Sequence, residues 1–181
     1  LLFLLIGTIL TTILQSSSAT MALTIVLCSE GVIPLELAVA LVLGENIGTT
    51  ITANIAAAIG NSTAKRAARA HLLFNTIGVL WILVVFRLVM PFINFLTISI
   101  EGVSPYVSAA AVPVALSLFH TLFNIMNTSI LVWFVPQIEK LTSLMVQGNN
   151  EEDEVEYRLK YINTGFMNVG EVSIELAKKE I

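Results

Sequence analysis

Residues 10–20 read Leu10-Thr11-Thr12-Ile13-Leu14-Gln15-Ser16-Ser17-Ser18-Ala19-Thr20, and the four polar residues from Gln15 to Ser18 decide how the chain must fold. Apolar sequence flanks them, Leu1 to Leu14 before and Ala19 to Cys28 after. Each arm is too short for a helix that crosses a bilayer core, which takes about 20 residues. Two half-length arms meeting at a polar tip predict a re-entrant helical hairpin that enters and leaves on one side. A single spanning helix with a polar bend is the competing arrangement. The hairpin is favoured because one Ser can bond back to its own helix, whereas three consecutive Ser and a Gln cannot all do so comfortably. In the first arm Thr8, Thr11, Thr12 and Gln15 fall at spacings of three and four, a polar stripe that leads to the tip.

A second polar island comes at Gly44-Glu45-Asn46-Ile47-Gly48-Thr49-Thr50. Leu35 to Leu43 before it and Thr49 to Ile59 after it predict a broken helix, with Thr49 or Thr50 capping the second half. Ser29-Glu30-Gly31 and Pro34 mark the boundary between hairpin and broken helix, Gly closing one helix and Pro opening the next. In lipid, backbone that leaves the helix is tolerated only where protein covers it or where it lines a watery cavity. Two such islands therefore read as the two lips of one solute site.

Composition supports a membrane setting. Residues are 56% hydrophobic and 12% charged, with a mean hydropathy of +0.86, whereas an average soluble domain is about a quarter charged. Before Pro136 the only charged residues are Glu30, Glu36, Glu45, Lys65, Arg66, Arg69, Arg87 and Glu101. The net charge of −4 comes chiefly from Glu151-Glu152-Asp153-Glu154 and Glu156, which argues against nucleic acid as a partner. The single Cys28 allows no internal disulfide. The apolar start lacks an initiator Met, a basic leader and a small-residue cleavage site, so it reads as an internal piece of a longer protein rather than a signal peptide.

After a loop at Gly60-Asn61-Ser62-Thr63, the basic residues Lys65, Arg66 and Arg69 precede an apolar stretch from Ala70 to Phe86. Basic residues at a helix end mark the cytoplasmic side. A second stretch, Val103 to Val135, carries no charge and includes Pro113, a candidate bend. These two read as spanning helices, and between them the form of residues 87–103 stays open. An even number of crossings returns the acidic tail to the cytoplasm. Both stretches carry the same fingerprint, His71-Leu72-Leu73-Phe74-Asn75 and His120-Thr121-Leu122-Phe123-Asn124, with His and Asn on one helical face. Gly78 and Asn127 extend those faces by a turn. Interhelical hydrogen bonding is the expected role for His71; Asn75 and Asn124 suit either that role or the lining of a cavity.

Backbone amides at a half-helix start and hydroxyl donors favour an oxyanion; freed carbonyls and amide oxygens favour a small hard cation. Both sets occur here, which is the logic of ion-coupled transport through discontinuous helices. Enzyme motifs are missing: there is no phosphate loop, no nucleophile elbow and no His or Cys cluster at metal spacing. A Ser17 and His120 hydrolase is the remaining enzymatic reading, and three adjacent Ser are more simply a row of ligands. The expectation is a protein that is not an enzyme and needs no cofactor.

The strings Gln15 to Thr20, Gly44 to Gly60 and Lys65 to Asn75, in this order and spacing, resemble the sodium/phosphate cotransporter family, the type II class and its bacterial relatives. The resemblance implies a transporter of two inverted repeats, each with a QSSS signature and a GxNIGT element, whose QSSS tips meet at the substrate site. This chain carries one of each and resembles the second repeat, so the partner repeat is expected from the rest of the protein. Arg158 to Phe166, with the Glu- and Lys-rich sequence after it, resembles the opening of a PhoU-like cytoplasmic domain. The implied organisation is an all-α polytopic membrane protein, with a transporter half at 1–136, an acidic linker at 137–156 and the first PhoU-like helix at 157–181.

By that resemblance phosphate would be held by Gln15, Ser16, Ser17, Ser18, Asn46, Gly48, Thr49 and Thr50. Sodium, the coupling ion, would be held by Gln15, Ser17, Ser18, Glu45, Asn46 and Thr50. The implied activity is sodium-coupled phosphate symport by alternating access in a cell membrane, the bacterial inner membrane. A phosphate sensor acting through the tail, and a carrier or exporter of another oxyanion, are the alternatives. Glu45 departs from vertebrate-type members, which have a small uncharged residue there, and an intramembrane carboxylate is costly and usually functional.

Overall fold

The chain reverses at Gln15. In the computed structural model, which describes residues 1–148, α1 (Leu2–Leu14) ends where Gln15 adopts the left-handed conformation at φ 52°, ψ 27°. Its amide donates to Thr11 O, and Ser16, in extended conformation, accepts from Ala19 N to cap α2 (Ser17–Ser29). A left-handed Gln and an N-capping Ser thus make the turn within two residues. Each arm is 13 residues, about 20 Å long and short of a hydrocarbon core of about 30 Å. The two arms are tied by a hydrogen bond from Thr11 Oγ1 to Thr20 Oγ1 at 3.1 Å. Hairpin and expectation agree.

The expected break at the second island is absent. α3 (Leu35–Ala57) runs unbroken through Gly44 to Thr50, because its polar side chains turn back onto its own backbone. Asn46 Nδ2 donates to Val42 O at 2.9 Å, Thr49 Oγ1 to Glu45 O at 2.9 Å and Thr50 Oγ1 to Ile47 O at 2.7 Å. Residues three and four apart can do this without leaving the helix. Neither Thr49 nor Thr50 is a cap. The glycines serve packing instead: a Cβ at Gly44 would strike Leu4 O and Thr8 N, and one at Gly48 would stand 2.6 Å from Thr8 O. α1 therefore lies along α3 in the same direction at backbone contact, with α2 antiparallel to both. Small residues allow such approach between membrane helices.

Downstream, Asn61 Oδ1 accepts from Ala64 N and opens α4 (Ser62–Glu101), so the expected loop at 60–63 lies two residues earlier, at 58–61. α4 passes through Pro91 without ending, which resolves residues 87–101 as helix. From Arg69 to Arg87 the helix rises about 27 Å, close to the depth of a hydrocarbon core. A turn and a short 3-10 segment (Ala109–Ala111) lead to α5 (Val112–Leu131), where Pro113 sits in the first helical turn and bends nothing. A second 3-10 segment (Val132–Phe134) joins α6 (Val135–Met145), so 137–145 of the expected linker are helical. Arg66 Nε donates to Val146 O at 3.1 Å and holds the end of α6 beside the start of α4. The expected helix at 157–181 lies outside the described residues.

Three helical stretches are long and apolar enough to cross a membrane: Leu35–Ala57, Ser62–Glu101 and Ala109–Met145. The expectation of two spanning helices is thus corrected to three, α3 being whole. α3 is also the centre of the bundle: 56% of its apolar window is buried, against 28% and 33% in the others. Its Ala38, Val39, Leu41, Val42 and Leu43 pack into a core with Ile82 and Ile93 of α4 and Leu116, Phe119 and Phe123 of α5. α4 and α5 run antiparallel, pinned by Asn127. This side chain is fully buried over Gly78, accepts from Trp81 Nε1 at 3.1 Å and donates to Phe74 O at 3.2 Å.

Candidate functional site

Four helices meet around a polar cavity of about 200 Å³. From the hairpin comes Ser17, at the first position of α2; from α3 come Glu45, Asn46 and Thr49. α4 supplies His71, Phe74 and Asn75, and α5 supplies His120 and Asn124. Two larger clefts on α4, about 330 and 460 Å³, are walled mainly by residues such as Val85, Leu88, Ile130 and Phe134 and offer an ion little to bind.

The three Asn share one constraint. Asn46, Asn75 and Asn124 each donate Nδ2 to the carbonyl four residues earlier in their own helix, at 2.9, 3.1 and 2.8 Å. A backbone carbonyl only accepts, so the amide nitrogen must face it and the side-chain oxygen is left for the cavity. Helical sequence thus fixes three oxygen ligands at one place. Glu45 adds a fourth. It is only 2% exposed. Its Oε1 accepts from Thr24 Oγ1 at 3.1 Å, and no cationic side chain bonds it among the described residues. Oε2 is thus left to whatever occupies the cavity.

The residues expected from sequence divide into two groups. Ser17, Glu45, Asn46, Thr49, Asn75 and Asn124 come together. Gln15, Ser16 and Ser18 stay on the hairpin tip outside the cavity lining, where Ser16 and Ser18 hydroxyls lie 3.1 Å apart; Gln15, Ser17 and Ser18 are all exposed. Gly48 is spent on the contact with α1, and Thr50, fully buried, on Ile47 O. The expected interhelical hydrogen bond of His71 is not formed: its imidazole makes no hydrogen bond among the described residues and lines the cavity. For His120 the sequence suggests a polar helical face shared with Asn124 and, in the hydrolase reading, the role of a catalytic base. It shares the cavity with Ser17, yet no hydrogen bond joins them. The duplicated His-x-x-x-Asn spacing is the signal that both belong here.

Comparison with known proteins gives the frame for this geometry. A family model described as Na+/Pi-cotransporter matches residues 1–128. The chain belongs to the Na+/Pi-cotransporter family. The chain is similar to the uncharacterized protein YqeW of Bacillus subtilis (strain 168), 36% identical over 143 residues, covering 79% of this chain and 43% of the relative. The putative inorganic phosphate export protein YjbB of Escherichia coli (strain K12) is 25% identical over 176 residues, 97% of this chain and 30% of that protein. The sodium-dependent phosphate transport protein 2C of Mus musculus is 46% identical over 96 residues, 50% of this chain and 16% of the relative. The chain spans less than half the length of these curated relatives. No solved structure matches it. Membership in a family of membrane transporters agrees with three spanning-length helices and with a cavity between helices that is lined mostly by polar side chains, open at Ser17 and His71, which are exposed.

Proposed function

We propose that this chain forms one half of a sodium-coupled phosphate transporter that works by alternating access, the other half being a second repeat elsewhere in the protein. The observation that carries the proposal is the Glu45 carboxylate, bonded by Thr24 but by no cationic side chain among the described residues, beside Ser17 and the Asn oxygens. Two like unit charges 4 Å apart at an effective dielectric of 20 repel by about 4 kcal/mol, nearly a thousandfold in affinity. While Glu45 is ionised, an oxyanion entering this cavity therefore needs a positive charge with it. A sodium ion on the Glu45 and Asn oxygens supplies that charge, which makes coupling a property of the site.

Ser17, Asn46 and Thr49 are the family signature residues that reach the cavity. Gln15, Ser16 and Ser18 complete the site from the tip, where a second QSSS tip would meet them. Gly48 seats α3 against α1, and Thr50 bonds back to Ile47 within α3. The cavity lies near His71, two residues from Arg69, at the basic end of α4. That end is cytoplasmic by the positive-inside rule, so the conformation opens inward, and the tail shares that side.

The test is radiolabelled phosphate flux in proteoliposomes containing the full-length protein. Sodium-dependent flux is expected, abolished by Ser17→Ala with Ser18→Ala. Glu45→Gln should weaken the sodium dependence; unchanged sodium and pH dependence in that variant would remove the ion-coupling role of Glu45. Export is the second reading, favoured by the likeness to YjbB across nearly the whole chain. Flux under opposed sodium and phosphate gradients decides the direction.

A further inference from the structure

The geometry points to His71 and His120 as the donors that hold the oxyanion, a pair of imidazoles facing one cavity from two antiparallel helices. This inference rests on the phosphate reading above and names residues outside the QSSS and GxNIGT elements. Both rings line the cavity with Ser17, and neither makes a side-chain hydrogen bond among the described residues. Their backbone carbonyls are occupied instead, each accepting the amide of the Asn one turn later. A neutral imidazole carries one N–H donor and an imidazolium two, so the pair brings at least two donors into the cavity.

The complement on the other wall is as informative. Glu45 Oε2 and the three Asn oxygens accept, and accepting groups suit a cation or a P–OH proton. Thr49 has spent its hydroxyl on Glu45 O. Without the two imidazoles, the hydroxyl of Ser17 and the remaining amide protons of the Asn would be the side-chain donors that line the cavity for the ionised oxygens of a phosphate. A metal-binding role for the rings is not supported, since no group of three or more His, Cys, Asp or Glu suited to a metal occurs among the described residues. Interhelical bonding is not their role either, because Asn127 already performs it for α4 and α5.

The experiment compares phosphate flux in proteoliposomes for the full-length protein, His71→Ala with His120→Ala, and His71→Gln with His120→Gln. Hydrogen bonds to a charged group are strong enough that losing both should raise the phosphate KM at least about tenfold, with the sodium KM unchanged. The Gln pair, which keeps N–H donors, should recover part of the loss. An unchanged phosphate KM in the Ala pair, or a fall in maximal rate alone, overturns the inference. Absence of sodium-dependent flux in the unmodified protein would instead defeat the proposed function. A second measurement needs no variant. Inorganic phosphate should slow carbethoxylation of His71 and His120, read by peptide mass spectrometry, where chloride at equal ionic strength does not. Lack of protection overturns the inference even if the variants fail to fold.

Discussion

The two polar islands, Gln15–Ser18 and Gly44–Thr50, look alike in composition and fold in opposite ways. The first ends one helix and starts another; the second lies inside an intact helix. The difference is arrangement. In the second island Ile47 and Gly48 separate Asn46 from Thr49 and Thr50, and each of these three side chains finds a carbonyl about one turn back. In the first, Gln15 carries the chain into the left-handed region and Ser16 caps α2, so side chains terminate the helix instead of decorating it. A polar island in an apolar chain thus signals function without signalling a break.

That contrast can be attacked at its strongest point first. Gly44→Ala places a methyl against the backbone of α1, where nothing flexible can give. Overpacking costs about 1–3 kcal/mol and more when backbone must move, so a loss of at least about 3 kcal/mol is expected in detergent thermal melts. A wild-type melting temperature would show that α1 and α3 are not in backbone contact. Next, Gln15→Gly should stabilise the hairpin by up to about 1 kcal/mol, because the left-handed conformation costs a residue with a Cβ about that much. Transport should nevertheless fall if the Gln15 side chain serves the site. A destabilised variant would mean that the turn is not left-handed.

Smaller effects probe α3. Thr50→Val removes one hydrogen bond inside a helix that does not depend on it, so about 1 kcal/mol or less is expected, with helix content by circular dichroism unchanged. Loss of helix would reinstate the break. At the outer end of α3, Tyr106, between α4 and α5, donates its hydroxyl to Glu36 Oε1 at 3.0 Å. Burial, then the hydrogen bond and charge of Glu36, push the phenol up to about 12 from 10. A raised phenol pKa means that the folded state holds the proton more tightly. The contact is therefore fully present below pH 10 and lost between pH 10 and 12. Tyr106→Phe should cost about 0.5 kcal/mol at neutral pH, and its difference from wild type should vanish across that window.

Legibility from sequence tracked the range of the forces involved. Arm length and the run of three Ser made the hairpin readable, since both are local. The intact α3 was not readable, because back-bonding and helix termination draw on the same residue types. The Asn pair at 75 and 124 carried its signal in a repeated spacing, and the same spacing placed His71 and His120 on the faces that turn out to share a cavity. Gly48 was placed by the resemblance among the phosphate ligands; that it faces α1 instead depends on a helix far upstream in the chain.

The sequence by itself determined an all-helical membrane bundle, a hairpin with a serine tip and the polar residues available for a site, because apolar length, helical period and turn chemistry act within a few residues. Only the tertiary structure decided which of them face one another. It brought Ser17, Glu45, three Asn and two His to a single cavity and turned Gly44 and Gly48 toward α1. Those outcomes depend on how four helices pack, and packing is set by close contact between residues far apart in the chain.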